Sequence, residues 1–545
     1  MKMTKAKITI IAGAATLLVA MVGAASCSDF LEKESLTTLT EEQAYENLET
    51  VESLVVGLYR LYAADVRSGG NGMRTLLGTD ECQLGQDQYL ASSDRSVPGF
   101  SSHDGLLPTS TTIAGLWQCK WLVITPAAKA IYLLPKFAGE DPDKVKILLG
   151  EAHFFRGMVM LEQTVNWGKI PIIDLNSNLN GGRQPLAEVW KYIINDFKAA
   201  AERLPETNTD DRKRATRYAA LAMLGKAYMA APEETELRSF ESAKECFDQI
   251  IGKYSLVNNY ATLFANDHTD TYGQNTVESI FELQYNNTDQ PNRYQWEFGS
   301  RAVTEIQING TAIGGRCYFG GYDMEIPTDY MHKSVDSGGV WEKGDQRMLL
   351  NIRYDLTYQG VQPTPASWGG SLDELGPHVR KFEDYRTEVT NNVTGAASRD
   401  TWDAGKNFPL IRYADILLLQ AECLNELGET SSGVALVNEV RRRAWGGTLP
   451  DDMKWSSSMS KDEFLEKIMD ERMRELCFET WRRMDLIRTG QYIRRVSKYN
   501  RWANERWGDA GFPENRILWP IPQDEINTNE DFASDPNAQN PGYPK

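Results

Sequence analysis

Ala215-Thr216-Arg217-Tyr218-Ala219-Ala220-Leu221-Ala222-Met223-Leu224-Gly225-Lys226-Ala227-Tyr228-Met229-Ala230-Ala231 is the stretch that decides the fold class. It is rich in alanine, with Leu221, Leu224 and Tyr228 interleaved, so it reads as a helix. Its small residues let a second helix come close. Ser239 to Tyr254 reads as that second helix, and Leu186 to Leu204 as the helix before. Working outward, helical periodicity continues on both sides. Ala44, Leu48, Val51, Val55, Leu58 and Tyr62 recur at steps of four and three, behind a capping box at Thr40 and Gln43. A helical region from Thr112 to Leu134 is interrupted by Pro126. Another runs from Asp143 to about Val165, with Val145, Leu148, Ala152, Phe155 and Val159 on one face. Phe408 to Leu427 and Ser432 to Ala444 form a further hairpin. Ser460 and Glu463 cap a last long helix, Lys461 to Trp481.

Ala219, Leu224, Gly225 and Tyr228 resemble the first helix of a tetratricopeptide repeat. No strict 34-residue period holds. The fold class expected is mainly α, a scaffold of tetratricopeptide-like hairpins. Between its halves, residues 258–406 are rich in Gly, Asn, Asp, Tyr and Trp, with one β-like run at Ser279 to Leu283. So long a stretch with little helical period reads as a binding region. The division expected is a leader over 1–26, a helical region over 27–257, this loop-rich region over 258–406, and a helical region with an extended tail over 407–545.

The leader begins with Lys2, Lys5 and Lys7. An apolar run from Ile8 to Val22 follows, then Gly23, Ala24, Ala25, Ser26 and Cys27. That is the order of a secretory signal peptide. Small residues at the three positions before Cys27 resemble a bacterial lipobox, with cleavage before Cys27 and lipid on its thiol. A plain signal peptide with a chance cysteine is the alternative. The whole chain of 545 residues carries a formal charge of −18, which disfavours nucleic acid and anionic membrane surfaces. The remaining cysteines are scattered. Cys246, Cys423 and Cys477 lie in helical patterns and read as buried free thiols.

No motif of a zinc protease, serine hydrolase or P-loop is present, and Asp80-Glu81 alone does not make a glycosidase pair. The expectation is a protein without catalysis or cofactor, with a structural calcium ion left open. Loop aromatics stand out instead. Tyr294, Trp296, Tyr318 and Trp368 would stack on sugar rings, and Asp80, Asn292 and Arg316 would hold hydroxyls; Tyr89 decorates an earlier loop. Flat rings with polar tips suit the C–H faces of sugars, and such side chains bond hydroxyls.

Cys27-Ser28-Asp29-Phe30-Leu31-Glu32, Glu151 to Gly157 with Trp167-Gly168-Lys169-Ile170-Pro171, Arg214 to Ala220, Ile411 to Glu422, Glu471 to Leu486 and Gln539 to Tyr543 resemble, in order, the motifs of the SusD-like (SusD/RagB) outer-membrane lipoproteins. His153 and Gly157 depart from the commonest residues there. The resemblance implies a helical fold with a loop-rich face. It also implies non-catalytic capture of oligosaccharide or polysaccharide at the cell surface and delivery to a TonB-dependent outer-membrane transporter (SusC-like). A peptide ligand is the alternative. The family's ligand contacts lie in variable loops, so the site residues above rest on their chemistry alone. Arg412, Asp415, Glu422, Arg472 and Glu475 are expected as buried ion pairs of the scaffold.

Overall fold

The computed structural model describes residues 45–67, 74–92, 94, 96–173, 175, 181–207, 213–264, 273–286, 289–302, 321–356, 364, 372–384 and 404–545. Cys27, Arg316, Tyr318 and Trp368 lie outside them. Residues Glu52–Lys545 form one compact unit. The longer helices are α1 (Leu48–Leu61), α2 (Thr111–Leu133), α3 (Pro142–Trp167), α4 (Leu186–Arg203), α5 (Arg217–Ala230) and α6 (Phe240–Asp248). They continue with α7 (Tyr413–Glu426), α8 (Thr430–Ala444), α9 (Lys461–Leu476), α10 (Arg482–Arg488), α11 (Tyr492–Tyr499) and α12 (Arg501–Trp507). Side-chain caps open several of them. The oxygens of Ser110, Asp141, Thr216, Ser239 and Ser460 accept from the backbone three residues on, satisfying donors that a helix leaves bare.

Each helix packs on the next, α2 on α3 through to α6 on α7, and α7 then packs on α8 and α9. This is a mainly α stack of helical hairpins. Close approach at the opening stretch is real. A Cβ on Gly225 would lie 2.4 Å from the ring of Phe247 on α6. Gly225→Ala should therefore cost about 1–3 kcal/mol by overpacking, read as a lower urea midpoint.

Three details depart from the periodicity. Pro126 does not interrupt α2. The carbonyl it leaves without a helical donor is that of Leu122, an exposed residue. Phe408–Arg412 is a strand rather than the start of α7; it pairs antiparallel with Ser279–Leu283. Finally, α9 stops at Leu476, because Phe478 and Thr480 take left-handed φ of 64° and 72°. Side chains hold that break: the Cys477 carbonyl accepts from Lys381 Nζ at 2.9 Å, and Glu81 Oε1 accepts from Phe478 N at 3.3 Å.

The expected ion pairs are present and buried. Glu475 Oε1 lies 2.5 Å from both Arg412 and Arg443, and its Oε2 lies 2.8 Å from Arg347. Asp415 lies between Lys226 of α5 at 2.5 Å and Arg472 of α9 at 2.9 Å. Glu422 takes Arg488 at 2.5 Å. Asp485 joins the last two pairs through Arg472 and Arg488, and that set ties α5, α7, α9 and α10 together. His153, which departs from the commonest residue in its motif, places Nδ1 2.7 Å from Asp196, beside Arg156. Cys246, Cys423 and Cys477 are buried free thiols.

The tail is clasped rather than draped. Arg183 donates to the carbonyls of Asn537 and Ala538 and to Asn540 Oδ1 at 2.5 Å. Asn540 Nδ2 donates to the carbonyls of Trp167 and Trp519.

Candidate functional site

Several of the aromatic and polar residues singled out by sequence prove to be interior. Asp80 is fully buried between Arg482 and Arg495, each 2.6 Å from its Oδ2. These cations outweigh burial and hold its carboxyl at about 2. It is a scaffold ion and cannot grip a hydroxyl. Asn292 is buried, its Nδ2 donating to the Lys406 carbonyl at 2.7 Å and its Oδ1 accepting from Tyr294 N at 3.1 Å. Tyr294 is buried too. Its ring packs on Phe408 with centroids 4.6 Å apart, and its hydroxyl lies 3.3 Å from that of Tyr285. Each of these polar residues has partners inside the protein, which is why they leave the surface.

Tyr89 and Trp296 have a different place. Tyr89 sits on the short helix Gln86–Ala91. Its half-buried ring stacks on Trp502 of α12, with centroids 3.7 Å apart and planes 5° from parallel. Trp502 is fixed in turn by its indole N–H, which donates to the Leu84 carbonyl at 2.7 Å. Trp296 is only 4% exposed, so it does not itself offer a face. It backs Tyr322, stacked at 5.6 Å and 18°, and Tyr322 is 39% exposed. Gly321 permits this: a Cβ there would lie 2.4 Å from the Trp296 carbonyl.

Charged side chains join the two stacked pairs. Arg301 lies 3.3 Å from Asp87 on the Tyr89 helix and 3.5 Å from Glu374. Its guanidinium carbon is 5.9 Å from the Tyr322 ring centre. Asp373 accepts from Gln86 N at 2.9 Å and pairs with Arg501 at 2.6 Å. Against burial, Arg501 holds the Asp373 carboxyl below the usual range. Burial and the neighbouring Asp87 and Asp323 push Glu374 up to about 8. Asp323 is anchored behind the surface by His378 Nε2 at 2.5 Å. Leu90 and Leu372 are 66% and 75% exposed. The result is a surface with stacked rings, two guanidinium groups, carboxylates and exposed apolar side chains. It can hold flat apolar faces and hydroxyls.

Sequence reading assigned Tyr89 and Trp296 and left Trp502, Arg501, Arg301 and Leu372 unassigned. Arg501-Trp502 lies more than 400 positions along the chain from Tyr89, and no local pattern joins them. Among the described residues, no group of three or more His, Cys, Asp or Glu side chains could hold a metal ion. An interior cavity lined by Arg67, Lys120, Glu162 and Asn166 has a volume of about 30 Å³, room for a water and not for a sugar ring.

Comparison with known proteins agrees with this architecture. The profile described as the SusD family matches residues 266–543, and one described as starch-binding associating with outer membrane matches residues 29–229. A SusD-like protein of Formosa agariphila, P2, is 26% identical over 563 residues, covering 99% of this chain and 100% of its own. The crystal structure of a SusD homolog from Bacteroides thetaiotaomicron superposes with a TM-score of 0.70 at 22% identity, covering 92% of this chain and 99% of that one. Surface glycan-binding protein A of Bacteroides thetaiotaomicron, in complex with laminarihexaose, gives 0.67 at 19% identity, covering 90% and 99%. This is a family of non-catalytic binding proteins. With its stacked hairpins, its buried charge network and a family profile spanning half its length, the chain belongs to the SusD family.

Proposed function

We propose that the chain is a cell-surface glycan-binding lipoprotein of the outer membrane. It carries lipid on Cys27 and passes its ligand to a partner TonB-dependent transporter. The observation that carries this reading is the surface of Tyr89 and Tyr322, backed by the buried rings of Trp502 and Trp296, with Arg301, Arg501 and their carboxylates between them. The rings would take the C–H faces of sugars, and the charged groups would take hydroxyls. Two cations matched by the carboxylates of Asp87 and Asp373, in a chain of net charge −18, favour an uncharged glycan over a polyanion. The laminarihexaose held by the similar glycan-binding fold supports this ligand class.

Native affinity electrophoresis tests the ligand class. The mature chain should be retarded by at least one neutral polysaccharide, such as laminarin, starch, xylan or mannan. Retention by a tryptic peptide pool alone would favour the peptide reading. Membrane attachment has its own test. Cys27→Ser should move the protein from the membrane fraction to the soluble one and remove the acyl mass from its N-terminal peptide.

A further inference from the structure

A second polar cavity shares no lining residue with the aromatic surface. Its volume is about 340 Å³, within the range of pockets that bury a small ligand. Three segments build it. Helix α9 contributes Lys467, Asp470 and Arg474 along one face. The 451–455 turn gives Asp452, Lys454 and Trp455, and the 330–342 segment gives Tyr330, Val335, Val340 and Glu342.

The floor is preorganised. Arg441 and Arg474 are buried, and their N–H groups are taken up internally. Arg441 donates to Glu471 at 2.8 Å, to Glu342 at 2.6 Å and to the Met453 carbonyl. Arg474 donates to the Val340 carbonyl at 2.8 Å and to Glu471. The floor cations are therefore committed and do not call for an anionic ligand. What faces outward is mixed. Glu342 keeps a quarter of its side chain exposed, and Asp470, bound to Arg495 at 2.6 Å, is exposed to a similar degree. Lys467 is half exposed, and its ammonium sits 2.9 Å from Glu463 at the helix surface. Val335 is exposed at one lip. The half-buried Tyr330 ring is stacked on Tyr499 at 3.7 Å.

Each sugar hydroxyl donates one hydrogen bond and accepts others. A wall that interleaves carboxylates, ammonium groups and small apolar patches fits such groups, whereas a simple anion or cation would need an excess of one sign. We propose that this cavity is a second carbohydrate pocket, sized for one or two neutral sugar rings. A chain with two separate sugar sites would hold a long glycan by both, raising its affinity for polymer above that for short oligomers without new contacts.

Saturation-transfer NMR on the mature chain tests this with glucose, galactose, mannose, xylose, maltose and laminaribiose at millimolar concentration. The background is the Tyr89→Ala/Tyr322→Ala double variant, which removes the two outer rings of the aromatic surface. At least one sugar should still give saturation transfer there. That residual signal should fall at least five-fold when Val335→Trp fills the lip. It should fall likewise with Lys467→Glu, a substitution at an exposed helix position that leaves the fold intact. No signal in the double variant, or a residual signal unchanged by both groove substitutions, would overturn the proposal.

Discussion

Glu475→Gln should lose about 3–5 kcal/mol of folding stability, the cost of breaking a buried ion pair from one side. Glu475 faces Arg347, Arg412 and Arg443, all buried. A neutral amide at that position keeps the shape and withdraws the charge. Three guanidinium groups would then share fewer carboxylates in a dry interior. Glu463→Gln on the same helix is the control. Its partner Lys467 and the glutamate itself are both about half exposed, and such pairs contribute at most about 1 kcal/mol. Urea denaturation followed by circular dichroism should show a large shift in midpoint for the first and almost none for the second.

Buried charges also set the response to pH. Despite burial, the arginines around Asp80 and Glu475 hold both carboxyls at about 2. Their stabilisation is complete above the unfolded carboxylate range and is lost as pH falls toward 2. Glu81 is the reverse case: burial pushes it up to about 8, as burial and its acidic neighbours do for Glu374. The folded chain holds those protons and the unfolded chain releases them, so stability falls as pH rises from the carboxylate range through 8. Burial pushes His103 down to about 3, which offsets part of that fall below neutrality. Stability should therefore peak near about pH 5 and decline on both sides, measurable as urea midpoints across pH 3 to 9.

The second large effect is on binding. Tyr322→Ala should weaken capture of the cognate neutral glycan about 30-fold, the effect of a hot-spot residue contributing about 2 kcal/mol. Tyr322 is the exposed member of the Trp296 stack, so its truncation removes the ring face and leaves Trp296 behind it. Folding stability from urea denaturation should stay within about 0.5 kcal/mol of the parent, as for other surface substitutions. Trp296→Ala should weaken binding as well, with a loss of stability, because its side chain is buried.

The scaffold was legible because its signals are local. Ala219, Gly225 and Tyr228 announce a close helix pair within about three turns, and the Phe247 ring packs at Gly225. The charged residues of 411–422 and 471–486 were readable as scaffold, and their partners lie on neighbouring helices. The binding surface was legible only in fragments. Asp80 looked like a loop carboxylate, yet its partners Arg482 and Arg495 come from some 400 positions away. Tyr294 and Asn292 share the composition of a ligand loop but are held by Phe408 and the Lys406 carbonyl. Composition identifies side chains that can touch a sugar, and long-range pairing decides which of them stay outside. Trp502, placed under Tyr89 by a tertiary contact alone, carries no sequence signal of that role.

Hydrogen–deuterium exchange with the glycan identified by electrophoresis is the most direct test of where this protein grips its ligand. Protection should gather on residues 86–91, 294–302, 321–323, 372–375 and 501–502. A bound glycan that leaves all five segments exchanging at their free rates would contradict the account.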